Sequence, residues 1–294
     1  MSVIQTLASK NLIKPPPFVI GGSQYETIMG SFAYGVSSET SDMDVYGWCI
    51  PPKDMVFPHL AGIIQGFGTQ IQKFEQYQQH HVEEKDRRRM YDLNIYNIVK
   101  YFQLVMENNP NMIDSLFTHE SCVLHATKLA RHVRDNRKIF LHKGSWHKFK
   151  GYAYSQMNKM ENKNHEESSV RWESVQKYGF DVKFAYHVVR LLNEVEQIMV
   201  EGDLDLMRNN EQLKAIRRGD WTIEQVKQYF FDKEKSLEEV YTKSTLPHKP
   251  VEKDIKRLLM EVLEEHYGTL AGAVETPGQE REILKQIQKL VANV

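Results

Sequence analysis

Two aspartates separated by one residue, Asp42 and Asp44, follow the pair Gly30-Ser31 after a spacer of ten residues. In an extended strand, side chains two residues apart point to the same side, so both carboxylates can face one site. Such a pair can hold two divalent cations that assist an in-line displacement at phosphorus. A Gly-Ser turn that opens a helical turn offers free backbone N–H groups to a phosphate. The spacing predicts a site for nucleotidyl transfer, although a polar loop without chemistry is the competing interpretation.

The carboxylates need a sheet to position them. Apolar and alternating runs predict four strands, at residues 25–29, 43–50, 71–81 and 87–94, with a short helix at 32–36. In this arrangement Asp92 lies near the end of the fourth strand and can approach Asp42 and Asp44 from a neighbouring strand. The alternative is that Asp92 caps a helix that begins at Leu93.

Helical periodicity dominates the rest of the chain. It predicts helices at residues 94–108, 127–135, 147–161, 182–201, 223–241 and 253–266, whereas the polar residues 161–173 predict a loop. The predicted fold class is therefore α/β (α+β), a mixed sheet followed by helices. We expect a catalytic domain at residues 1–120 and a helical domain at residues 121–294 that completes the cleft.

The helix predicted at 182–201 carries a second pattern. Lys183, His187 and Arg190 follow one another at i, i+4 and i+7, beside a separate apolar stripe. Three such donors on one rigid face suit the phosphates of a nucleotide and would offset charge as pyrophosphate leaves. A solvated helix face is the competing interpretation.

Composition sets outer bounds on function. Hydrophobic residues make up 41% and charged residues 26% of the 294 positions, as in ordinary soluble proteins. The two cysteines, Cys49 and Cys122, exclude a disulfide framework. No apolar stretch is long enough to span a membrane, and no signal peptide begins the chain. We therefore expect a cytoplasmic protein without a membrane partner.

The motif resembles that of nucleotidyltransferases of the DNA polymerase β superfamily, and more closely their stand-alone, RNA-ligase-associated branch in bacteria and phages. The resemblance extends to about residue 230. It places the family's Gly-Ser pair, metal-binding Asp-x-Asp and third carboxylate on five residues of this chain: Gly30, Ser31, Asp42, Asp44 and Asp92. The chain departs from the pattern at Phe32 and Tyr46, where many relatives carry basic residues, so phosphate or base contacts there are in doubt.

The resemblance implies an activity. Two Mg²⁺ (or Mn²⁺) ions held by Asp42, Asp44 and Asp92 would assist transfer of a nucleoside monophosphate from an NTP to a hydroxyl. ATP is the favoured donor because it is abundant, since the sequence contains no signature for base recognition. The helix with Lys183, His187 and Arg190 resembles the branch's corresponding helix, which implies nucleotide binding.

The acceptor is left open among several classes. An RNA or tRNA 3′ end is favoured by the branch's association with RNA ligases and by the basic residues 131–150. Seven Lys or Arg in this segment suit contacts with phosphates, and the interleaved aromatic residues suit base stacking, so Trp146 is predicted to stack on unpaired bases. A protein hydroxyl, a small molecule such as an aminoglycoside, and a catalytically silent NTP-binding regulator are the alternatives. Four side chains, Lys143, Lys148, Tyr152 and Tyr154, are candidates for the cleft wall; surface lysines and buried tyrosines would explain them equally.

Overall fold

The computed structural model describes residues 2–38, 41–64, 66–68, 73–163, 166–167 and 169–268. The strands are β1 (Ser23–Ile28), β2 (Met43–Cys49), β3 (Gln76–Glu84), β4 (Arg89–Asn97) and β5 (Val123–Ala126). The helices are α1 (Val3–Ser9), α2 (Pro17–Gly22), α3 (Lys53–Val56), α4 (Ile98–Met106), α5 (Pro110–Phe117), α6 (Lys128–Asp135), α7 (Gly144–Asn162), α8 (Val170–Tyr178), α9 (Val182–Glu201), α10 (Asn210–Arg217), α11 (Ile223–Lys243) and α12 (Glu252–Tyr267). Short 3₁₀ turns occur at Pro58–Ala61, Lys85–Arg87, Glu120–Cys122 and Arg137–Phe140.

The five strands form one mixed sheet in the order β3-β4-β2-β1-β5. Strands β2 and β4 are parallel, and the other neighbours are antiparallel. A mixed sheet followed by helices confirms the predicted fold class. Strand β5 pairs with β1 although it lies beyond the predicted boundary at residue 120. Along the chain, the last residue of the sheet is therefore Ala126, and the division into two domains stays a prediction.

The two faces of the sheet pack against different helices. Val45 and Leu93 point to one face and share a buried cluster with Ile4 and Leu7 of α1. Trp48 points to the other face and belongs to the large core that includes most of α9. Because side chains alternate along a strand, Asp44 points to the same face as Trp48. The candidate site therefore lies between the sheet and the helical half.

Several local predictions differ from the structure. The third strand, predicted at 71–81, begins at Gln76 and continues to Glu84. The helix predicted at 32–36 is a series of hydrogen-bonded turns, because Gly30 and Gly35 adopt positive φ angles of 63° and 65°. The helix predicted at 94–108 begins only at Ile98, because β4 continues to Asn97, whose side chain caps α4. Within the loop predicted at 161–173, α8 begins at Val170. The predicted strand positions 71 and 72, and positions 164, 165, 168 and 269–294, lie outside the described residues.

Two expectations concern the protein's surroundings. No helix in the described part of the chain has the length and apolar character needed to cross a bilayer. Both cysteines are buried free thiols, so neither contributes to a disulfide.

Candidate active site

Asp44 and Asp92 lie directly opposite each other. They are register partners in the parallel pair β2–β4, so their side chains project from the same face of the sheet. Burial raises the pKa of Asp44, and the negative charges of Asp92 and Asp42 raise it further, whereas Lys183 opposes the rise. Asp42 is exposed, just before β2 begins. The three predicted carboxylates therefore act on one another electrostatically.

Gly30 leads from β1 into the turn beside Asp44. The backbone N–H of Met29 donates to the Asp44 carbonyl at 2.7 Å, which fixes the start of this turn against β2. A Cβ atom on Gly30 would lie 2.1 Å from Oδ2 of Asp44, and the residue has a positive φ. Only glycine fits this position without displacing the Asp44 carboxylate. The half-buried Ser31 follows in the same turn, and its carbonyl accepts from the Val36 N–H at 2.8 Å.

A β-bulge in β3 positions Asp92. His80 and His81 together face this single residue, because Gln79 pairs with Leu93 and Val82 pairs with Tyr91. The N–H of His81 donates to Oδ1 of Asp92 at 2.8 Å, and Nδ1 of His80 lies 3.4 Å from Oδ2. The two histidines are therefore next to the carboxylates rather than at the hairpin tip.

The capping alternative for Asp92 is wrong. Leu93 lies inside β4, and the N-cap of the following helix is Asn97, whose side chain accepts from the Val99 N–H at 2.9 Å. The strand assignment leaves Asp92 available to the site.

Lys183 lies in the first turn of α9, with Asp181 as the helix N-cap. Much of its side chain is exposed, but partial burial lowers the pKa of Lys183, the nearby Arg171 lowers it further, and Asp44 opposes this. Among the described residues, Lys183 has no carboxylate within ion-pair distance. Its charge is therefore free to meet an anionic ligand.

His187 and Arg190 differ from Lys183 in their surroundings. Burial lowers the pKa of His187 well below its ordinary value, and the positive charges of Arg190 and Lys183 lower it further. His187 is therefore neutral near pH 7 and adds no positive charge. Lys183, His187 and Arg190 therefore do not form a continuous cationic stripe. The helical spacing in the sequence could not show this, because it does not report which side chains are buried.

Arg190 is held in a buried network of acids. Its side chain is 6% exposed, and its Nη1 donates to Asp114 and, at 2.9 Å, to Glu194. The guanidinium lies 4.2 Å from the Tyr34 ring, and the Tyr34 hydroxyl donates to Asp114 at 2.8 Å. The charge of Arg190 is thus already compensated, and the network ties α9 to the turn that follows Gly30.

Two arginines near Lys183 were not predicted from the sequence. Arg217 donates to the Val36 carbonyl and lies 5.5 Å from the Tyr186 ring, so α10 is joined to the Gly30 turn. Arg171 of α8 lies 4.7 Å from the Phe184 ring. Arg217 follows the pattern of a helix C-terminus, and Arg171 lies in the segment predicted as a loop. Neither context gave a sequence signal for a site.

A small cavity joins several of these residues. It encloses about 150 Å³ and is lined by Met29, Gly30, Tyr34, Asp44, Tyr46, Asn111, His187 and Arg190. Ligand pockets usually enclose about 300–1,000 Å³. This cavity is therefore smaller than a typical ligand pocket.

The comparisons with known proteins agree with this geometry. A family model described as RlaP, the RNA repair pathway DNA polymerase beta family, matches residues 23–282. The chain belongs to this family. No curated protein and no solved structure matches it. Family membership confirms the polymerase-β-like nucleotidyltransferase assignment and its link to RNA repair.

Polymerase-β-type nucleotidyltransferases typically use divalent cations, and the donor chemistry here fits them. Mg²⁺ and Mn²⁺ prefer carboxylate oxygens, and crowding of Asp44 with Asp42 and Asp92 is a charge arrangement that a cation would relieve. In the described residues, no three His, Cys, Asp or Glu side chains are already arranged as a coordination shell. The three aspartates fit the ion in the chemistry of their oxygen donors.

The basic segment 131–150 does not form the predicted stacking surface in this member of the family. Trp146 is 1% exposed, and Phe140 and Phe149 are equally buried. Five of its seven cations lie within 4 Å of a carboxylate, for example Lys138 with Asp203 at 2.6 Å and Lys150 with Glu238 at 3.0 Å. The prediction that Trp146 stacks on bases is wrong because the aromatic residues of this segment belong to the core.

Proposed function

We propose that this chain transfers AMP from ATP to the 3′ hydroxyl of an RNA strand. The acceptor oxygen attacks the α-phosphorus, a new P–O bond forms, and the bond from the α-phosphorus to the bridging oxygen breaks. Pyrophosphate leaves with the electron pair. The proton of the acceptor hydroxyl passes to Asp92, which lies beside Asp44 in the register of the sheet.

The chain's own residues divide the work between donor and acceptor. The turn at Gly30 and Ser31 binds a phosphate through its backbone, and Lys183 offsets the charge of the departing pyrophosphate. Asp42, Asp44 and Asp92 would hold the two Mg²⁺ ions, which supply Lewis-acid stabilisation of the developing charge when bound.

One observation carries the proposal. The register of β2 and β4 places Asp44 opposite Asp92, and the Gly30 turn lies against Asp44, in a chain of an RNA repair nucleotidyltransferase family. This order along the sheet gives a donor side at Gly30 and an acceptor side at Asp92.

The test uses the purified full chain with each α-labelled NTP, Mg²⁺ or Mn²⁺, and RNA ending in either a 3′ hydroxyl or a 3′ phosphate. We expect label from ATP on the hydroxyl-ended RNA alone. Label on added protein or on small molecules instead would replace RNA as the acceptor. Absence of label with ATP binding retained would favour a silent NTP-binding regulator.

Lys183 provides a prediction about the donor. Replacing Lys183 with Met should weaken ATP binding by roughly 1–3 kcal/mol, the range for a charge-assisted contact. Binding of AMP should change little, because AMP lacks the phosphates that Lys183 would contact. Calorimetry with both nucleotides measures this, with Lys243→Met as an exposed control. Equal losses for ATP and AMP would place Lys183 away from the triphosphate tail.

A further inference from the structure

Two tyrosines extend the sheet face away from the carboxylates. Tyr46 lies two residues after Asp44, and Tyr96 lies four residues after Asp92, so all four side chains project from one face. The rings of Tyr46 and Tyr96 are 6.3 Å apart at 41°. Both tyrosines are half-buried.

A third tyrosine, Tyr152, lies near them on helix α7. The Tyr152 hydroxyl accepts from Nδ2 of Asn109 at 3.3 Å, and the side chain is 38% exposed. Burial raises the pKa of Tyr96, and the nearby Tyr152 raises it further; the same neighbour contributes to the raised pKa of Tyr46. Tyr152 therefore lies close enough to the two strand tyrosines to act on them electrostatically.

Polar side chains continue this face to the sheet edge. Gln78 pairs in register with Asn94, and Gln76 pairs with Tyr96, so both glutamines share the face of Asp92. Both are exposed, and their amides can donate and accept hydrogen bonds. Beside Asp92, this surface therefore offers both aromatic rings and amides.

The exposed side of helix α7 carries positive charge near Tyr152. Lys148, Tyr152, Ser155 and Lys159 are exposed and follow one another at spacings of four, three and four residues. Lys148 contacts Glu107 only at 3.9 Å. Lys159 has no ion-pair partner among the described residues, so its charge can meet a phosphate.

We propose that the β3–β4 surface and the exposed side of α7 form a groove that binds the unpaired 3′-terminal nucleotides of the acceptor RNA. Bases stack against Tyr96 and Tyr152, and the backbone passes Lys159 on the way to Asp92. Stacking on aromatic rings requires bases that are splayed out of a helix, which selects a single strand over a duplex. The inference rests on the proposed function, because it names the subsite of that function's acceptor.

Tyr154 provides a matched control for Tyr152. It lies on the same helix and is 40% exposed, but it packs on Phe230 at 4.6 Å and donates to Glu234 at 2.9 Å. Tyr154 therefore faces α11 rather than the groove. The two tyrosines have equal size and similar exposure, and they differ in direction.

The experiment measures the affinity of the full chain for a fluorescent single-stranded RNA with a 3′ hydroxyl, by anisotropy, and its affinity for ATP separately. Tyr152→Ala should weaken RNA binding by roughly 5- to 150-fold, the range that follows from the stacking of one base on one ring. Tyr152→Phe should retain binding, because it retains the ring. Tyr154→Ala should leave RNA binding unchanged, and ATP binding should be unchanged in all three variants.

A salt titration adds a second measurement. Lys159→Gln should reduce the slope of log affinity against log salt by about 0.7, the value for one phosphate contact on a single strand. Equal effects of Tyr152→Ala and Tyr154→Ala on RNA binding, or no effect of either, would contradict the inference that this groove binds RNA. If the wild-type protein still labels RNA in that case, the proposed function itself would stand. A wild-type protein that labels another acceptor and does not bind RNA would overturn both the proposed function and this inference.

Discussion

Replacing Asp44 with Asn is expected to lower nucleotidyl transfer by about 10³-fold or more, with thermal stability unchanged or raised. A carboxylate that holds a catalytic cation supports several kcal/mol of charge stabilisation in the transition state, and each 1.4 kcal/mol corresponds to a factor of ten. The pKa of Asp44 is raised by burial and by Asp92, so its ionised form weakens folding at neutral pH. The neutral asparagine side chain removes the repulsion with Asp92, and it also removes the carboxylate that would bind the cation.

Matched variants make this result specific. Asp42→Asn should also abolish transfer, with a smaller change in stability because Asp42 is exposed. Asp86→Asn removes one carboxylate from the exposed turn after β3 and should leave transfer unchanged. Labelling assays and thermal melts on the same preparations measure both quantities. Near wild-type transfer by Asp44→Asn and Asp42→Asn would remove the two-metal mechanism.

The local parts of the site could be predicted from the sequence. Gly30, Asp42 and Asp44 lie within 15 residues of one another, so a turn followed by a strand places all three locally and determines the side that Asp44 faces. The position of Asp92 depended on a neighbouring strand. The bulge at His80 and His81, which gives the Asp92 carboxylate its N–H partner, has no signature in the alternation of β3.

Charge patterns were less informative because partners distant in sequence decide what each charge does. Lys150 meets Glu238, and Arg190 meets Asp114, 76 positions away. Periodicity correctly placed Arg190 on α9, but it could not show that a buried acid would compensate the guanidinium. Conversely, Arg217 contacts the turn after Gly30, 181 positions distant, and so lies close to Lys183 without any local sign of it.

Replacing Arg190 with Met should destabilise the protein by roughly 3–5 kcal/mol, the cost of leaving buried charges without their partner. Asp114 and Glu194 would remain, both almost fully buried and next to each other. Chemical denaturation measures the loss. The control is an exposed pair at the end of α9, in which Arg208 of the following segment meets Glu201, and Arg208→Met should cost less than about 1 kcal/mol.

The pH dependence of the stability of Arg190→Met distinguishes a structural role of Arg190 from direct contact with a phosphate. Burial raises the pKa of Glu194, and Arg190 opposes that rise, so its removal should raise the pKa further. A group with a raised pKa in the folded state stabilises folding below that pKa. The deficit of Arg190→Met should therefore shrink as the pH falls, because Asp114 and Glu194 become neutral. If Arg190→Met instead had normal stability and lost only affinity for ATP, Arg190 would be a residue that contacts the triphosphate. That result would contradict the role of the Arg190 network in supporting the turn after Gly30.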